Sequence, residues 1–194
     1  MNFGPDRIYH VYNRGNQRQT IFFEDVHYLL FLEKIRKQLL PYCDILAWCL
    51  MPNHFHLMIA AKSSGCSIRL SGSNPVQELS YRMGIMLSSY TSIINKQRNL
   101  TGGLFQKKTK AKHLDSSEDV IRCMHYIHQN PLVAGLSHGT LEEWKYSSFP
   151  DYSGLRKGTL CNSAKLFEVT GYEQSSFLSD SYDVIDSSIS DLFY

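Results

Sequence analysis

His54 and His56, separated only by Phe55, stand within Asn53-His54-Phe55-His56-Leu57-Met58-Ile59, a stretch that reads as a strand. Residues two apart on a strand point to one face, so both imidazoles share it. Preceded by the turn-like Met51-Pro52-Asn53, they make a ready pair of ligands for a divalent metal. A bare His-x-His reads equally as polar surface or as buried, hydrogen-bonded core. The second half of the constellation is Tyr126-Ile127-His128-Gln129-Asn130-Pro131, at the end of a predicted helix. Four residues apart, Tyr126 and Asn130 lie on one helical face, where a phenol and an amide oxygen could meet the same metal. A histidine pair, a tyrosine and an amide together point to phosphodiester chemistry with tyrosine as nucleophile. Taken alone, Tyr126 reads as readily as a packing residue.

Such groups need rigid supports, and the chain offers alternating elements. Arg7 to Tyr12 reads as a strand followed by a turn at Asn13-Arg14-Gly15-Asn16. Phe23-Glu24-Asp25 opens a predicted helix to about Leu40, with Tyr28, Leu29, Leu32, Ile35 and Leu39 at helical spacing and Pro41 beyond. Asp44 to Leu50 is a second strand, joined through Pro52-Asn53 to the histidine strand as an antiparallel hairpin. Lys62 to Asn74, rich in serine and glycine, reads as a flexible loop, and Pro75 starts a long helix to about Gln97. Leu104 to Leu114 is expected to return to the sheet. Ser116 with Asp119 resembles a capping box for the next helix, expected to stop at Asn130 because Pro131 disfavours continuation. In that helix Val120, Cys123, Met124 and Ile127 form the core stripe, flanked by Tyr126 and Asn130. The pattern predicts an α+β fold of ferredoxin-like character, an antiparallel sheet with helices packed mainly on one face.

Composition frames the function without choosing it. The chain has 194 residues, 43% hydrophobic and 20% charged, enough for one ordinary core. Its longest apolar run, Ile45 to Met51, is far short of a membrane span, and Met1 to Asp6 lacks a signal-peptide core, so the expectation is a cytoplasmic protein with no membrane partner. Five cysteines without Cys-x-x-Cys spacing indicate neither a disulfide framework nor a zinc ribbon. Residues 1–150 hold 17 Lys+Arg against 11 Asp+Glu, a balance of +6, whereas residues 151–194 hold 3 against 7, or −4. A basic body suits a polyanionic partner. Lys107, Lys108, Lys110 and Lys112 fall together, and in an extended chain Lys108, Lys110 and Lys112 share a face. They read as phosphate contacts or as the lysines that protect an edge strand from aggregation. Arg14 beside Gly15 is a further candidate for phosphate. The two parts predict a body over 1–150 and a small appendage over 151–194, helical or partly disordered, with Lys165 to Gly171 and Tyr182 to Tyr194 as its aromatic-containing segments. His10, His113, His125 and His128 read as surface or supporting residues.

Together, Tyr9-His10-Val11-Tyr12-Asn13-Arg14-Gly15, Met51-Pro52-Asn53-His54-Phe55-His56-Leu57, Leu87-Ser88-Ser89-Tyr90-Thr91, Gly103-Leu104-Phe105-Gln106 and Tyr126-Ile127-His128-Gln129-Asn130-Pro131 resemble the single-tyrosine HUH transposases, IS200-like, especially the branch associated with repetitive extragenic palindromes (REP). The resemblance spans about residues 7–150 in the family's order. It implies that His54, His56 and Asn130 hold Mg²⁺ or Mn²⁺ and that Tyr126 is the nucleophile. It also implies single-stranded DNA with hairpin or palindromic ends as partner, cut beside the hairpin to leave a 5′-phosphotyrosine and a free 3′-hydroxyl, by a monomer or homodimer. Val133 and Thr109 depart from the family pattern, which often carries a basic and an aromatic residue at those places. A catalytically silent hairpin-binding protein is the alternative, and a relaxase or replication initiator a third reading.

Overall fold

The computed structural model of the chain describes residues 1–137 and 139–183. The elements run in the order β1 (Ile8–Arg14), α1 (Asp25–Gln38), β2 (Cys43–Met51), β3 (His54–Ala61), α2 (Ser63–Cys66), β4 (Ile68–Ser71), β5 (Asn74–Gln77), α3 (Glu78–Arg98), β6 (Lys110–His113), α4 (Ser117–Val133), α5 (Phe149–Tyr152), α6 (Ser163–Thr170) and α7 (Phe177–Asp180). The main sheet has order β2-β3-β1-β6 with every neighbouring pair antiparallel. With α1 and α3 as the crossovers, this is the split βαβ arrangement of a ferredoxin-like α+β fold.

Alternation along the strands divides the sheet into two faces. Tyr9, Val11, Leu50, Phe55, Leu57 and Ile59 join the core formed with α1 and α3, where Phe31, Ile35, Met83, Met86 and Tyr90 are buried. Met51, Met58 and Ala60 point the other way, against Val120, Cys123, Met124 and Ile127 of α4. Helices therefore flank both faces: α1 and α3 on one, α4 on the second, and His54 and His56 lie on the α4 side. Phe31 anchors the first core, its ring 5.2 Å from Phe22, 5.2 Å from Phe55 and 5.0 Å from Tyr90. Phe31→Ala is expected to cost about 3–5 kcal/mol of stability, since so enclosed a site collapses poorly. Urea denaturation measures it, and a loss under about 1 kcal/mol would show that this cluster does not carry the core.

Four local expectations differ from the structure. Lys62 to Asn74 is not a loop: it forms α2 and the β4–β5 hairpin, whose turn uses Gly72 at φ +61°. Pro75 lies in β5, and α3 starts three residues later, at Glu78. The return to the sheet is limited to Lys110–His113, because Leu104 and Gln106 spend their backbone groups on Asn16, Gln19 and Arg14 instead of a ladder. Helix α4 continues through Pro131 to Val133. A proline there forfeits one bond only three residues from the helix end, and Ala134 N–H still closes on the Asn130 carbonyl at 3.0 Å.

Helix α5 runs across residue 150, and the chain beyond it packs on the second face. Phe149, Tyr152, Leu166 and Phe177 are buried in the same cluster as α4. Tyr152 donates to the Leu46 carbonyl at 2.7 Å, Ser148 Oγ accepts from Trp48 N–H at 2.9 Å, and Lys165 reaches Asp44 at 2.7 Å. Ser163–Thr170 is a helix that takes in most of Lys165 to Gly171; of Tyr182 to Tyr194, residues 184–194 lie outside the described part. Among the described residues no helix is long and apolar enough to cross a membrane.

Candidate active site

Strand β3 supplies the histidines, and its neighbours orient them. In the register, Arg14 faces His54 and Tyr12 faces His56 across β1, while Cys49 and Met51 flank them across β2. Central strands fix side-chain direction on both sides, so the imidazoles project together toward α4, ring centroids 5.0 Å apart and nearly perpendicular. His56 is fully buried and His54 nearly so. Helix α4 begins with Ser116 Oγ accepting the Asp119 N–H, which sets its phase. That phase brings Tyr126 edge-on to His56, with centroids 5.6 Å apart, and to His10 at 6.0 Å. One turn later Asn130 Nδ2 donates to the Tyr126 carbonyl at 2.7 Å, and its side chain lies within hydrogen-bonding reach of His54.

His54, His56, Tyr126 and Asn130, read separately from two motifs 70 residues apart, thus stand at one place between sheet and helix. Burial is the main reason that His54 is held down to about 4, with Arg14 adding to the effect and Asn130 opposing it. The same burial, reinforced by His10, His54 and Arg14, keeps His56 well below the ordinary histidine range. Both rings are therefore neutral at neutral pH, the form that offers a lone pair to a metal. His54 Nδ1 lies 2.6 Å from Asn53 Oδ1, an acceptor, so Nδ1 carries the proton and Nε2 the lone pair. Among the described residues no three His, Cys, Asp or Glu side chains gather as a cation site, and the donors at hand are two imidazoles and an amide. That set fits a divalent cation such as Mn²⁺ better than the harder Mg²⁺.

In front of the histidines a pocket opens toward the β6 edge, walled by Tyr12, Arg14, Gln106, Lys108 and Lys110, with no carboxylate among its lining residues. Lys110 and Lys112 face Tyr12 and His10 in the register, which places both on the histidine face, and Lys110 Nζ lies 5.6 Å from the Tyr12 ring. Lys107 sits elsewhere, on a cleft between α3 and residues 102–109 that Lys108 also lines. Arg14 walls the pocket from the end of β1, inside the strand rather than in a turn. Tyr126 is not among the residues lining the pocket, and its hydroxyl is buried.

Asn13 lines the same pocket, and Gly15 follows the strand that carries it. Asn13 Nδ2 donates to Gln106 O at 3.1 Å and Thr109 Oγ1 at 2.9 Å, so Thr109, where an aromatic was expected by resemblance, is a fixed acceptor. Gly15 donates to the Asn53 carbonyl at 2.8 Å, and a Cβ on it would come within 2.1 Å of the Gln19 carbonyl. The hairpin residue before His54 is thereby tied to β1. His10, expected at the surface or in a supporting place, is fully buried with Nε2 2.8 Å from His56 Nδ1, beside the candidate ligands. Its signal in the sequence is the alternation of β1, which puts His10 and Tyr12 opposite the core-facing Tyr9 and Val11.

A family profile described as "Transposase IS200 like" matches residues 5–130, a stretch containing His10, His54, His56, Tyr126 and Asn130. No curated protein matches. Among solved structures the chain is similar to a REP-associated tyrosine transposase bound to a REP hairpin, with a TM-score of 0.59 and 15% identity over 79% of this chain and 83% of that one. A bacterial tRNA(His) guanylyltransferase-like protein in complex with GTP gives a TM-score of 0.41 at 11% identity, over 78% and 72% of the two chains.

Proposed function

The chain belongs to the IS200-like transposases, and from that premise we propose that it is a metal-dependent endonuclease and strand transferase for single-stranded DNA, cutting beside hairpins through a 5′-phosphotyrosine. The observation that carries the reading is the meeting of Tyr126 and Asn130 of α4 with His54 and His56 of β3. A pure binder has no chemical need for a phenol, an amide and two neutral imidazoles in one buried cluster. The hairpin part draws support from the solved relative of like fold, which was bound to one.

In this reading the Tyr126 oxygen attacks the scissile phosphorus, the P–O3′ bond breaks, and the 3′-oxygen leaves with a proton. A DNA 3′-hydroxyl later attacks the phosphotyrosine and restores the phosphodiester, so bond energy is conserved and no ATP is consumed. A phenol near pKa ~10 is a weak nucleophile at neutral pH and needs a base or cation beside it. His54, His56 and the Asn130 oxygen would hold Mn²⁺ or Mg²⁺, which supplies Lewis acidity to the phosphate oxygens. Because the Tyr126 hydroxyl is buried, attack requires α4 or the tyrosine side chain to shift when DNA enters. Lys108, Lys110 and Arg14, around the pocket mouth, would take neighbouring phosphates, with Lys112 along the β6 edge and Lys107 on the adjoining cleft.

Incubation with single-stranded hairpin DNA and Mn²⁺, followed by a denaturing gel, tests the proposal. A protein–DNA adduct surviving denaturation is expected. Tight hairpin binding with no adduct under any divalent metal would leave the silent binder. Replacing Lys108, Lys110 and Lys112 by alanine should weaken binding to all sequences and flatten the salt dependence by about 0.7–0.9 log unit for each phosphate left unneutralised. An unchanged slope would return these lysines to the protection of an edge strand.

A further inference from the structure

We infer that His10 is a positioning residue for the metal site, holding His56 in the tautomer whose Nε2 carries a lone pair. The inference rests on the metal reading of His54, His56 and Asn130 given above. The two rings are stacked, with planes 14° apart and centroids 5.0 Å apart, and His10 Nε2 lies 2.8 Å from His56 Nδ1. Both are fully buried, so water does not compete for that contact. Between two neutral imidazoles one nitrogen donates and the other accepts. If His10 donates, the His56 proton sits on Nε2, which then cannot bind a cation. If His10 accepts, His56 carries its proton on Nδ1 and presents Nε2 as a ligand.

Only the second arrangement makes His56 the equal of His54, whose Nδ1 is fixed by Asn53 in the same sense. The two ligands thus have separate outer partners, an amide oxygen from the hairpin and an imidazole from β1. Outer partners of metal-bound histidines fix ring orientation and tautomer, and their loss typically lowers metal affinity by ~10- to 100-fold. Strand geometry keeps His10 in place: Tyr9 and Val11 are locked in the opposite core, and His10 is stacked on Tyr12 at 4.8 Å.

Mn²⁺ titration of the DNA-free protein, read by electron paramagnetic resonance, provides the test without reference to cleavage. Phe replaces the ring without an acceptor in H10F, and Gln in H10Q can place its Oε1 near the position of the imidazole Nε2. H10F is expected to bind Mn²⁺ ~10- to 100-fold more weakly than the wild type and H10Q to recover most of the loss, with hairpin affinity unchanged in both. Long-range ¹⁵N–¹H spectra of histidine-labelled wild type should show His56 protonated at Nδ1. H10F affinity within twofold of wild type, H10Q as weak as H10F, or His56 protonated at Nε2 would each overturn the inference, and the wild-type spectrum decides even if H10F fails to fold. A wild type that binds no Mn²⁺ at His54 and His56 would instead overturn the metal reading itself.

Discussion

Alanine at His54 or at His56 is expected to abolish DNA cleavage while hairpin binding stays within a few fold. The imidazoles are buried on the interior strand β3, whereas the lysines stand on or beside the edge strand β6 of the same face, so their loss removes donors from the cluster without removing the proposed phosphate contacts. Loss of a direct ligand should exceed the ~10- to 100-fold cost of losing an outer partner. The two positions differ in how safely they can be emptied. His54 sits at the strand end beside Asn53, whereas His56 is wholly enclosed and its removal strands the His10 nitrogen now 2.8 Å away. An unpartnered buried polar group costs about 1–3 kcal/mol, so His56→Ala is checked by thermal melting beside His56→Gln, which keeps a polar group in the space. Cleavage is measured as release of the 3′-hydroxyl end from a labelled hairpin substrate across a Mn²⁺ series. Undiminished cleavage by both alanine variants at equal metal concentration would remove the histidines from the chemistry.

Much of this arrangement was legible because it depends on local periods. The period of two in His54-Phe55-His56 and the spacing of four between Tyr126 and Asn130 assign faces without any knowledge of neighbours. The hairpin at Pro52-Asn53 and the cap at Ser116 arise from turn and cap chemistry, and all appear in the structure. The α+β sheet with its crossover helices is set by the order of those elements. What stayed hidden depends on long-range pairing. The burial of His10 arises because β1 enters the sheet between β3 and β6, a strand order that periodicity cannot reveal. Lys62 to Asn74 has a loop's composition, yet Arg69, held between the Glu78 carboxylate and the Tyr81 ring, anchors the β4–β5 hairpin there. The histidines at 125 and 128 show the same limit. Each owes its burial to the cover that α5 and α7 lay over the outer side of α4: His128 Nε2 lies 2.7 Å from Ser148 Oγ, and His125 stacks on Phe177.

Tyr126→Phe isolates a single oxygen atom and has the sharpest expected outcome. The ring contacts with His56 at 5.6 Å and His10 at 6.0 Å survive the change, as does the helix, so folding stability should fall by no more than about 1.5 kcal/mol. Metal and hairpin DNA should bind as in the wild type. The covalent complex should vanish, because the atom that would join phosphorus is gone, and with it the free 3′-hydroxyl. Among the chain's twelve tyrosines the competitor to weigh is Tyr12, which lines the pocket with its ring 6.0 Å from His56. Others are committed elsewhere: the Tyr90 hydroxyl donates to Ile21 O and the Tyr152 hydroxyl to Leu46 O, both at 2.7 Å. Tyr12→Phe should therefore still form an adduct, and mass spectrometry of the digested wild-type complex should place the phosphate on the peptide carrying Tyr126. A phosphate mapped to Tyr12, or cleavage persisting in Tyr126→Phe, would move the nucleophile from the helix to the strand and leave the buried phenol a packing residue over the two histidines.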